Sequence, residues 1–284
     1  HTPDIVHCHS RRGADVLGGL AASFADVPAV VSRRVDNTEM RVLAAIRYRP
    51  FVSIVAISEA VASALRNVGI EDEKIVTIRS AVDAAPFDRP YGRAEIEAAF
   101  GIRPEEFAIL AAGQLIPRKG HRFLLEATAA LRQSQGPFKV VIFGSGELET
   151  ELKQQATSLG LDKIVHFAGY REDLDSLIGC FDLLVHPALS EGLGVATLKA
   201  QAASVPVVGF EAGGLKESVV NGETGLLVPS EDVAALTGAI ATLMNDDERR
   251  AAFGRAGKAR MRAEFSIDTL VDRHVDLYAS ILND

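Results

Sequence analysis

The run Ser190–Val208, SEGLGVATLKAQAASVPVV, sets an acid, Glu191, in a loop of small residues, Gly192-Leu193-Gly194. That loop leads straight into an apolar helical pattern, Val195–Ala203, followed by a breaker at Pro206 and a buried-strand pattern, Val207–Phe210. Such a loop presents backbone N–H groups at a helix N-terminus, where the helix dipole favours negative charge. Its glycines let a ligand approach the main chain closely. The amides suit an anion while the carboxylate accepts hydrogen bonds from hydroxyls, and a sugar diphosphate needs both. An ordinary strand–loop–helix turn uses the same residue types.

Other loops also carry chemistry. Gly113-Gln114-Leu115-Ile116-Pro117-Arg118-Lys119-Gly120 places two adjacent cations between a proline and a glycine. Arginine forks onto phosphate oxygens and lysine supplies a compact charge, so Arg118 and Lys119 suit a diphosphate; a plain surface loop is the other reading. Gly144-Ser145-Gly146 lacks the third glycine of a dinucleotide fingerprint, yet it allows close backbone packing beside a nucleotide. Gly169-Tyr170-Arg171 offers a ring and a cation, suited to a base or to a loop. Asp173 and Asp175 have the spacing of a metal-binding acid pair, but they precede an apolar helical run and read better as helix N-capping residues. His166 and His186 lie in or at the ends of apolar strand patterns and read as hydrogen-bonded structural residues. No Ser–His–Asp or Cys–His signature stands out.

These loops need a scaffold, and the chain is long enough for one large or two medium domains at 284 residues. An apolar content of 48% with 24% charged residues is that of an ordinary globular protein. No apolar run is long enough for a membrane-spanning helix. The start, His1-Thr2-Pro3-Asp4, reads as neither a methionine start nor a signal peptide, so the chain is expected to begin partway into a longer protein. Cys8 and Cys180 lie far apart without metal-ligand spacing, and a reducing cytoplasm is the simplest setting. The net charge of −8 argues against a general nucleic-acid partner. Against that background residues 1–52 are basic: Arg11, Arg12, Arg33, Arg34, Arg41, Arg47 and Arg49 face five acids. Solvated helix faces explain this, as does a patch facing an anionic acceptor or a membrane surface. Within it Met40–Phe51, MRVLAAIRYRPF, reads equally as a packed amphipathic helix or a membrane contact.

Short β-branched runs alternate with helical patterns, the signature of βαβ units. Strands are expected at Ile5–His7, Ala29–Ser32, Ser53–Ile57 and Ile75–Ile78. Ser58 caps a helix over Glu59–Val68 that stops at Gly69. Asp83–Pro90, with two prolines, reads as an interdomain linker. A second series follows at Ala108–Ala112, Lys139–Phe143, Ile164–Phe167, Leu183–His186, Val207–Phe210 and Gly225–Val228. Helices are expected at Arg122–Leu131, Leu148–Leu159, Val233–Met244, Asp247–Glu264 and Ile267–Leu282. The fold is therefore α/β, with two Rossmann-like, doubly wound domains, the N-terminal one having too few strands to close a sheet core. The expected divisions are 1–90, an acceptor-side domain; 91–265, a donor-binding domain; and 266–284, a helix crossing back to the first. Ligands in such folds bind beyond the C-terminal strand ends, which singles out the loops after Ala112, Phe143, Phe167 and His186.

Taken together these loops resemble those of the retaining glycosyltransferases of family 4 (group 1), which have the two-domain GT-B fold. The likeness runs through DIVHCHS at Asp4–Ser10, AISEAV at Ala56–Val61, VDAAPF at Val82–Phe87, GQLIPRKG at Gly113–Gly120 and FGSG at Phe143–Gly146. It continues through FAGYREDL at Phe167–Leu174, HPALSEGLG at His186–Gly194 and GGLKESVVNGETGLLVP at Gly213–Pro229. The resemblance implies a nucleotide-sugar donor, UDP-linked by family habit, held mainly by the second domain. It also implies a saccharide or glycolipid acceptor entering from the first, no metal and no further cofactor. Glu191 would meet the hydroxyls of the transferred sugar. The N–H groups around Gly192, Leu193, Gly194 and Val195, with Lys119, would hold the diphosphate; Tyr170 and Arg171 would lie near the base. A bacterial cell-envelope acceptor and a place in the cytoplasm, at the inner face of a membrane, go with this resemblance.

Three departures from the family pattern bear on activity. Lys199 stands where a second glutamate would accept hydrogen bonds from the ribose, and a lysine can only donate; a phosphate or ribose oxygen is its alternative partner. Gln114 replaces the arginine usually paired with the phosphate-binding lysine, a loss for which Arg118 is placed to compensate. Arg33-Arg34 fills the turn where many members place a histidine, which suggests an anionic partner and leaves His9 as the nearest substitute. The family's first domain also starts some tens of residues earlier, with a strand and a glycine-rich loop. Two further readings stay open: a non-catalytic nucleotide-sugar-binding module, and a sugar-nucleotide epimerase of the same two-domain plan.

Overall fold

A computed structural model describes residues 3–9, 13–37, 39–88 and 92–283. His1, Thr2, Ser10, Arg11, Arg12, Arg89, Pro90, Tyr91 and Asp284 of the segments singled out above lie outside the described residues. The chain forms two compact units. One gathers the chain through Ala81, the short segment Glu191–Leu193 and the chain from Ile267; the other gathers Val82–Ser190 and Gly194–Ser266.

In the first unit four parallel strands, β1 (Val6–His9), β2 (Ala29–Arg33), β3 (Ser53–Ala56) and β4 (Ile75–Thr77), lie in sequence order. β2 and β3 are buried at every position, as β-branched runs covered on both faces should be. The connecting helices are α1 (Ala14–Phe24), α2 (Arg41–Tyr48) and α3 (Glu59–Asn67). Side-chain alternation along β1 separates the two faces. Cys8 points at α1, where a Cβ on Gly18 would lie 2.4 Å from its sulfur, so only glycine lets helix and strand come this close. His7 points the other way, onto the C-terminal helix α12 (Ile267–Asn283), whose Leu277 and Ile281 pack with Val30, Val55 and Ile78. The α3 cap forms as expected: Ser58 accepts from the Val61 N–H at 3.1 Å and, fully buried, donates its own proton to the Gly192 carbonyl.

The second unit holds six parallel strands: β5 (Phe107–Ala112), β6 (Phe138–Phe143), β7 (Val165–Gly169), β8 (Leu183–His186), β9 (Val207–Phe210) and β10 (Gly225–Val228). Their order is β10-β9-β8-β5-β6-β7, so the winding direction reverses between β5 and β8. Its helices are α4 (Arg93–Phe100), α5 (His121–Leu131), α6 (Glu149–Ser158), α7 (Leu174–Leu177), α8 (Val195–Ala202), α9 (Leu215–Ser218), α10 (Val233–Asn245) and α11 (Asp247–Glu264). The core joins Ile109, Val140 and Ile142 of the sheet to Leu124 and Leu131 of α5 and to Ile240 and Leu243 of α10. β7 runs two residues past its expected end, because pairing resumes at Phe143–Gly169 after a register shift. The described part of Asp83–Pro90, the segment expected as an interdomain linker, is folded. Residues 85–88 form a short 3₁₀ turn, Val82 and Phe87 are buried, and the Val82 N–H is held by the Phe265 carbonyl at 2.9 Å. Both cysteines are buried thiols, and burial pushes that of Cys180 up to about 11. Among the described residues no helix is long and apolar enough to cross a membrane.

Ser58 therefore serves two main-chain partners. Ser58→Ala should lower unfolding stability by about 1–2 kcal/mol in urea titrations, since a cap is lost and a buried carbonyl is left unpaired. A change of only a few tenths would mean that water replaces both bonds.

Candidate active site

The reversal in strand order is where an open parallel sheet parts its loops and admits a ligand. The two loops that flank it here follow β5 and β8, and both were singled out by residue type. They are tied together by main-chain and side-chain bonds: Leu189 N–H to the Arg118 carbonyl at 2.8 Å, and Arg118 Nη1 to the Ser190 carbonyl at 3.3 Å. Gly120 closes the first loop at φ 66°, and a Cβ there would sit 1.9 Å from the Pro187 carbonyl oxygen. No other residue fits. Lys119 runs its aliphatic stem along Gly113, with Cδ 3.5 Å from where a Cβ would be, and is half-buried.

Gly144 and Gly146 support this loop from behind. A Cβ at Gly144 would meet the Gly113 carbonyl oxygen at 1.9 Å, and one at Gly146 would meet that of Leu115 at 2.4 Å. Leu115 N–H donates to the Ser145 carbonyl at 3.0 Å, and Leu148 N–H donates to that of Leu115. The close approach permitted by these glycines is thus to the neighbouring loop. Gln114 is exposed on that loop, and its carbonyl accepts from the Ile116 N–H.

α8 starts at Gly194, which has φ 84° and offers no side-chain cap. The Gly194 carbonyl takes Thr197 N–H at 2.9 Å and Thr197 Oγ1 at 2.6 Å. The N–H groups of Val195 and Ala196 belong to the first turn, which has no partner inside the helix. The helix is held from its far side by Gln201, whose Nε2 donates to the Thr197 and Ser218 carbonyls. Val195, expected on the ligand side, is exposed at 48%.

On the β7 side the structure corrects one expectation. Asp173 and Asp175 flank the start of α7, but neither caps it with a side-chain bond. Asp173 instead takes a bidentate hydrogen bond from Arg171, at 2.8 and 2.5 Å, and Asp175 takes Lys199 Nζ on both oxygens at 2.7 Å. A nearby guanidinium or ammonium outcompetes a backbone amide that water reaches. Arg171 is thereby neutralised beside an exposed Tyr170, and Lys199 is neutralised on α8. The Lys199–Asp175 pair has no sign in the sequence spacing, because the partners meet only after α7 and α8 pack on one sheet.

His121 was not among the residues that type and spacing singled out, and it is 4% exposed behind Lys119. Burial pushes its imidazole down to about 4, with His186 adding to the effect and the backbone of Gln114 opposing it. Neither ring nitrogen reaches a partner in hydrogen-bond geometry. His186 is buried, as its place at the end of β8 implied.

In the first unit Glu191, Gly192 and Leu193 are all buried, and a Cβ on Gly192 would lie 2.8 Å from the Arg34 carbonyl oxygen. Arg33 and Arg34 part company. Arg33, 7% exposed, spends its guanidinium on the carbonyls of Val35 and Asn37, both at 3.0 Å, and on Glu39 at 2.6 Å, so it shapes the turn and does not face an acceptor. Arg34 is exposed, with Nη2 3.5 Å from His9 Nδ1.

Two parallel α/β units, one of them with glycine-rich and basic loops at its switch point, follow the plan of the GT-B glycosyltransferases. Solved structures share it: the chain of Anabaena Alr3699/HepE in complex with UDP aligns with a TM-score of 0.89 at 23% identity, over 98% of this chain and 79% of that one. A glycosyltransferase from Rickettsia africae ESF-5 aligns at 0.88 with 22% identity, over 99% and 77%. Residues 92–260 match Glycosyl transferases group 1, and the chain belongs to that family. Among curated relatives, the lipopolysaccharide core biosynthesis mannosyltransferase LpsB of Rhizobium meliloti is 28% identical over 229 residues, 78% of this chain and 65% of the relative. A GDP-mannose-dependent monoacylated alpha-(1-6)-phosphatidylinositol monomannoside mannosyltransferase of Corynebacterium glutamicum is 31% identical over 214 residues, 72% and 54%. The chain therefore spans between half and two thirds of these relatives' length.

Two outcomes follow from the site's charges. Lys199→Glu should set a second carboxylate against Asp175 and lower the melting temperature without tightening nucleotide binding; adding Asp175→Asn should restore the melting temperature. Tighter calorimetric binding in the single variant would contradict this. A histidine held neutral in the native state and protonated in the unfolded one removes stability as pH falls from about 6.5 to about 4. Urea midpoints of His121→Gln should therefore fall less steeply across that window than those of the parent.

Proposed function

We propose that the full-length protein transfers a sugar from a nucleoside-diphosphate donor to a saccharide or lipid acceptor. In this reading the anomeric configuration is retained and no metal ion is used. The observation that carries it is the lacing of the 113–120 loop to the loop after β8. It sets Arg118 and Lys119 on the second unit's switch-point edge, the same edge from which α8 starts.

The reaction breaks the bond between the anomeric carbon and the donor's phosphate oxygen. Positive charge grows on the ring and negative charge on the leaving phosphate. Donors already oriented toward that developing charge need no rearrangement as it appears, and one well-placed group contributes roughly 3–4 kcal/mol. Lys119, Arg118 and the first amides of α8 fill that role. Glu191, three residues before Gly194, accepts hydrogen bonds from the sugar's hydroxyls. The acceptor hydroxyl attacks from the face the phosphate leaves, and the phosphate takes its proton, so no protein nucleophile is needed. Gly144 and Gly146 act by supporting the loop, and Tyr170 with Arg171 lies on the side of the base.

The relatives' names, which mention lipopolysaccharide core biosynthesis and a phosphatidylinositol monomannoside, support a bacterial envelope role, and a place at the inner face of a membrane goes with it. One of them specifies GDP-mannose where the solved HepE complex holds UDP. The expectation of a uridine donor accordingly widens to both bases. A thermal-shift panel of nucleoside diphosphates and their sugar conjugates discriminates them, since the cognate ligand raises stability by mass action. One observation favours a binding module without catalysis: Lys199, in the place of the expected ribose-binding acid, is tied to Asp175. Donor hydrolysis or transfer by the full-length protein excludes that reading.

Lys119→Ala should lower kcat/KM by about 10²-fold or more in correctly folded full-length protein. An unchanged value would remove Lys119 from the diphosphate.

A further inference from the structure

The first unit contains a cavity of about 350 Å³ on the sheet face that α12 covers. Its walls are Val55, Ile57 and Ile78 from β3 and the residues after β3 and β4, facing Leu270, Val271 and Val275 of α12. Val271 and Val275 are 47% and 56% exposed, so the chamber opens along the helix to solvent. The polar groups at its floor are already satisfied by one another. His7 bridges Ser32 Oγ at 2.8 Å and the Tyr278 hydroxyl at 2.5 Å, and His274 Nδ1 donates to the Leu270 carbonyl at 2.8 Å. Burial, then the neighbouring His9, His274 and Arg34, pushes His7 down to about 4, which keeps that bridge neutral. Arg34 and His9 stand among the lining residues, and among the described residues no acid lines the cavity.

We infer that this cavity is a binding site for an anionic amphiphile: an alkyl or prenyl chain lies along the apolar walls and its phosphate meets Arg34. The walls favour hydrocarbon over sugar. Carbohydrate hydroxyls need carboxylates, amides or carbonyls to replace water, and burying them against aliphatic side chains leaves them unpaired. A methylene chain has no such requirement, and each CH₂ gains by leaving water. Arg34 selects the head group, because a guanidinium forks onto phosphate oxygens and meets no carboxylate in the described lining. His9, 3.5 Å from Arg34, orients that fork. A second copy of the chain or a protein helix would also cover apolar side chains, but neither accounts for a guanidinium at the rim of an acid-free lining. Identifying the amphiphile with the acceptor of the transfer rests on the function proposed above; the binding itself does not.

The test uses full-length protein and calorimetry with decyl phosphate, decanol and inorganic phosphate, all below micelle-forming concentrations. Decyl phosphate should bind at least about tenfold more tightly than either of the others. Arg34→Gln should reduce decyl phosphate to the affinity of decanol. Val275→Trp, at a half-exposed position that tolerates bulk, should weaken both chain-bearing probes, with melting temperature and circular dichroism unchanged. The inference is overturned if decyl phosphate binds no better than decanol, if both variants bind it as the parent does, or if the parent binds neither chain because its own residues or a second copy fill the cavity. Titrating a nucleoside diphosphate into the same samples separates the two proposals. Nucleotide binding without amphiphile binding removes this one alone, and the reverse removes only the transferase reading.

Discussion

The second unit depends on backbone atoms packed at distances that forbid a Cβ. Three glycines, at 120, 144 and 146, stand against the carbonyl oxygens of Pro187, Gly113 and Leu115. Together these contacts hold the 113–120 loop between the loops after β6 and β8. A side chain at any of the three would push the loop off its support. The backbone that carries Arg118 and Lys119 is consequently fixed by main-chain geometry, which on the function proposed suits groups that meet a ligand's charge. Rigid support of this kind is what preorganised electrostatics requires, since a loop that must settle around each new anion stabilises it less.

Basic residues within each unit follow one pattern. Arg33, Arg171 and Lys199 each have a carboxylate within 2.5–2.7 Å, and the first of them two carbonyls as well. Basic side chains that look alike in sequence thus divide into those committed to an ion pair and those, such as Arg34, left exposed. Arg33 and Arg34 show the division most sharply: adjacent residues on an extended segment point to opposite sides, so one is buried in the turn and the other exposed.

Much of this architecture was legible from residue pattern. The two runs of β-branched segments located all ten strands of the two sheets within a few residues, because parallel strands buried on both faces must be apolar throughout. Ser58 was recognisable as a cap from its type and from the amphipathic run behind it. The loops after β5 and β8 were recognisable because glycine, proline and paired cations at strand ends have few other uses. Partnerships were not legible. Asp173 and Asp175 had the right types for caps, and they lost that role to Arg171 and Lys199, cations that the fold brings close. Gly144 and Gly146 were read as letting the backbone pack closely beside a nucleotide; in the structure they pack against a neighbouring loop. The burial of His121 was hidden for a related reason: His186, which acts on it from β8, is distant in sequence.

The bonds between Arg118 and the 189–190 segment cross an interval of 72 residues. That interval contains β6, β7 and the strand β8, which lies directly beside β5. A chain emerging from the ribosome can form the helix after Gly120 early, but it cannot lace the two loops together until β8 has inserted next to β5. Contacts of such long range are made late and slowly. On the function proposed, nucleotide capture is thereby a report that the sheet has been assembled in the right order, and partially synthesised or misthreaded chains would be unable to sequester the donor.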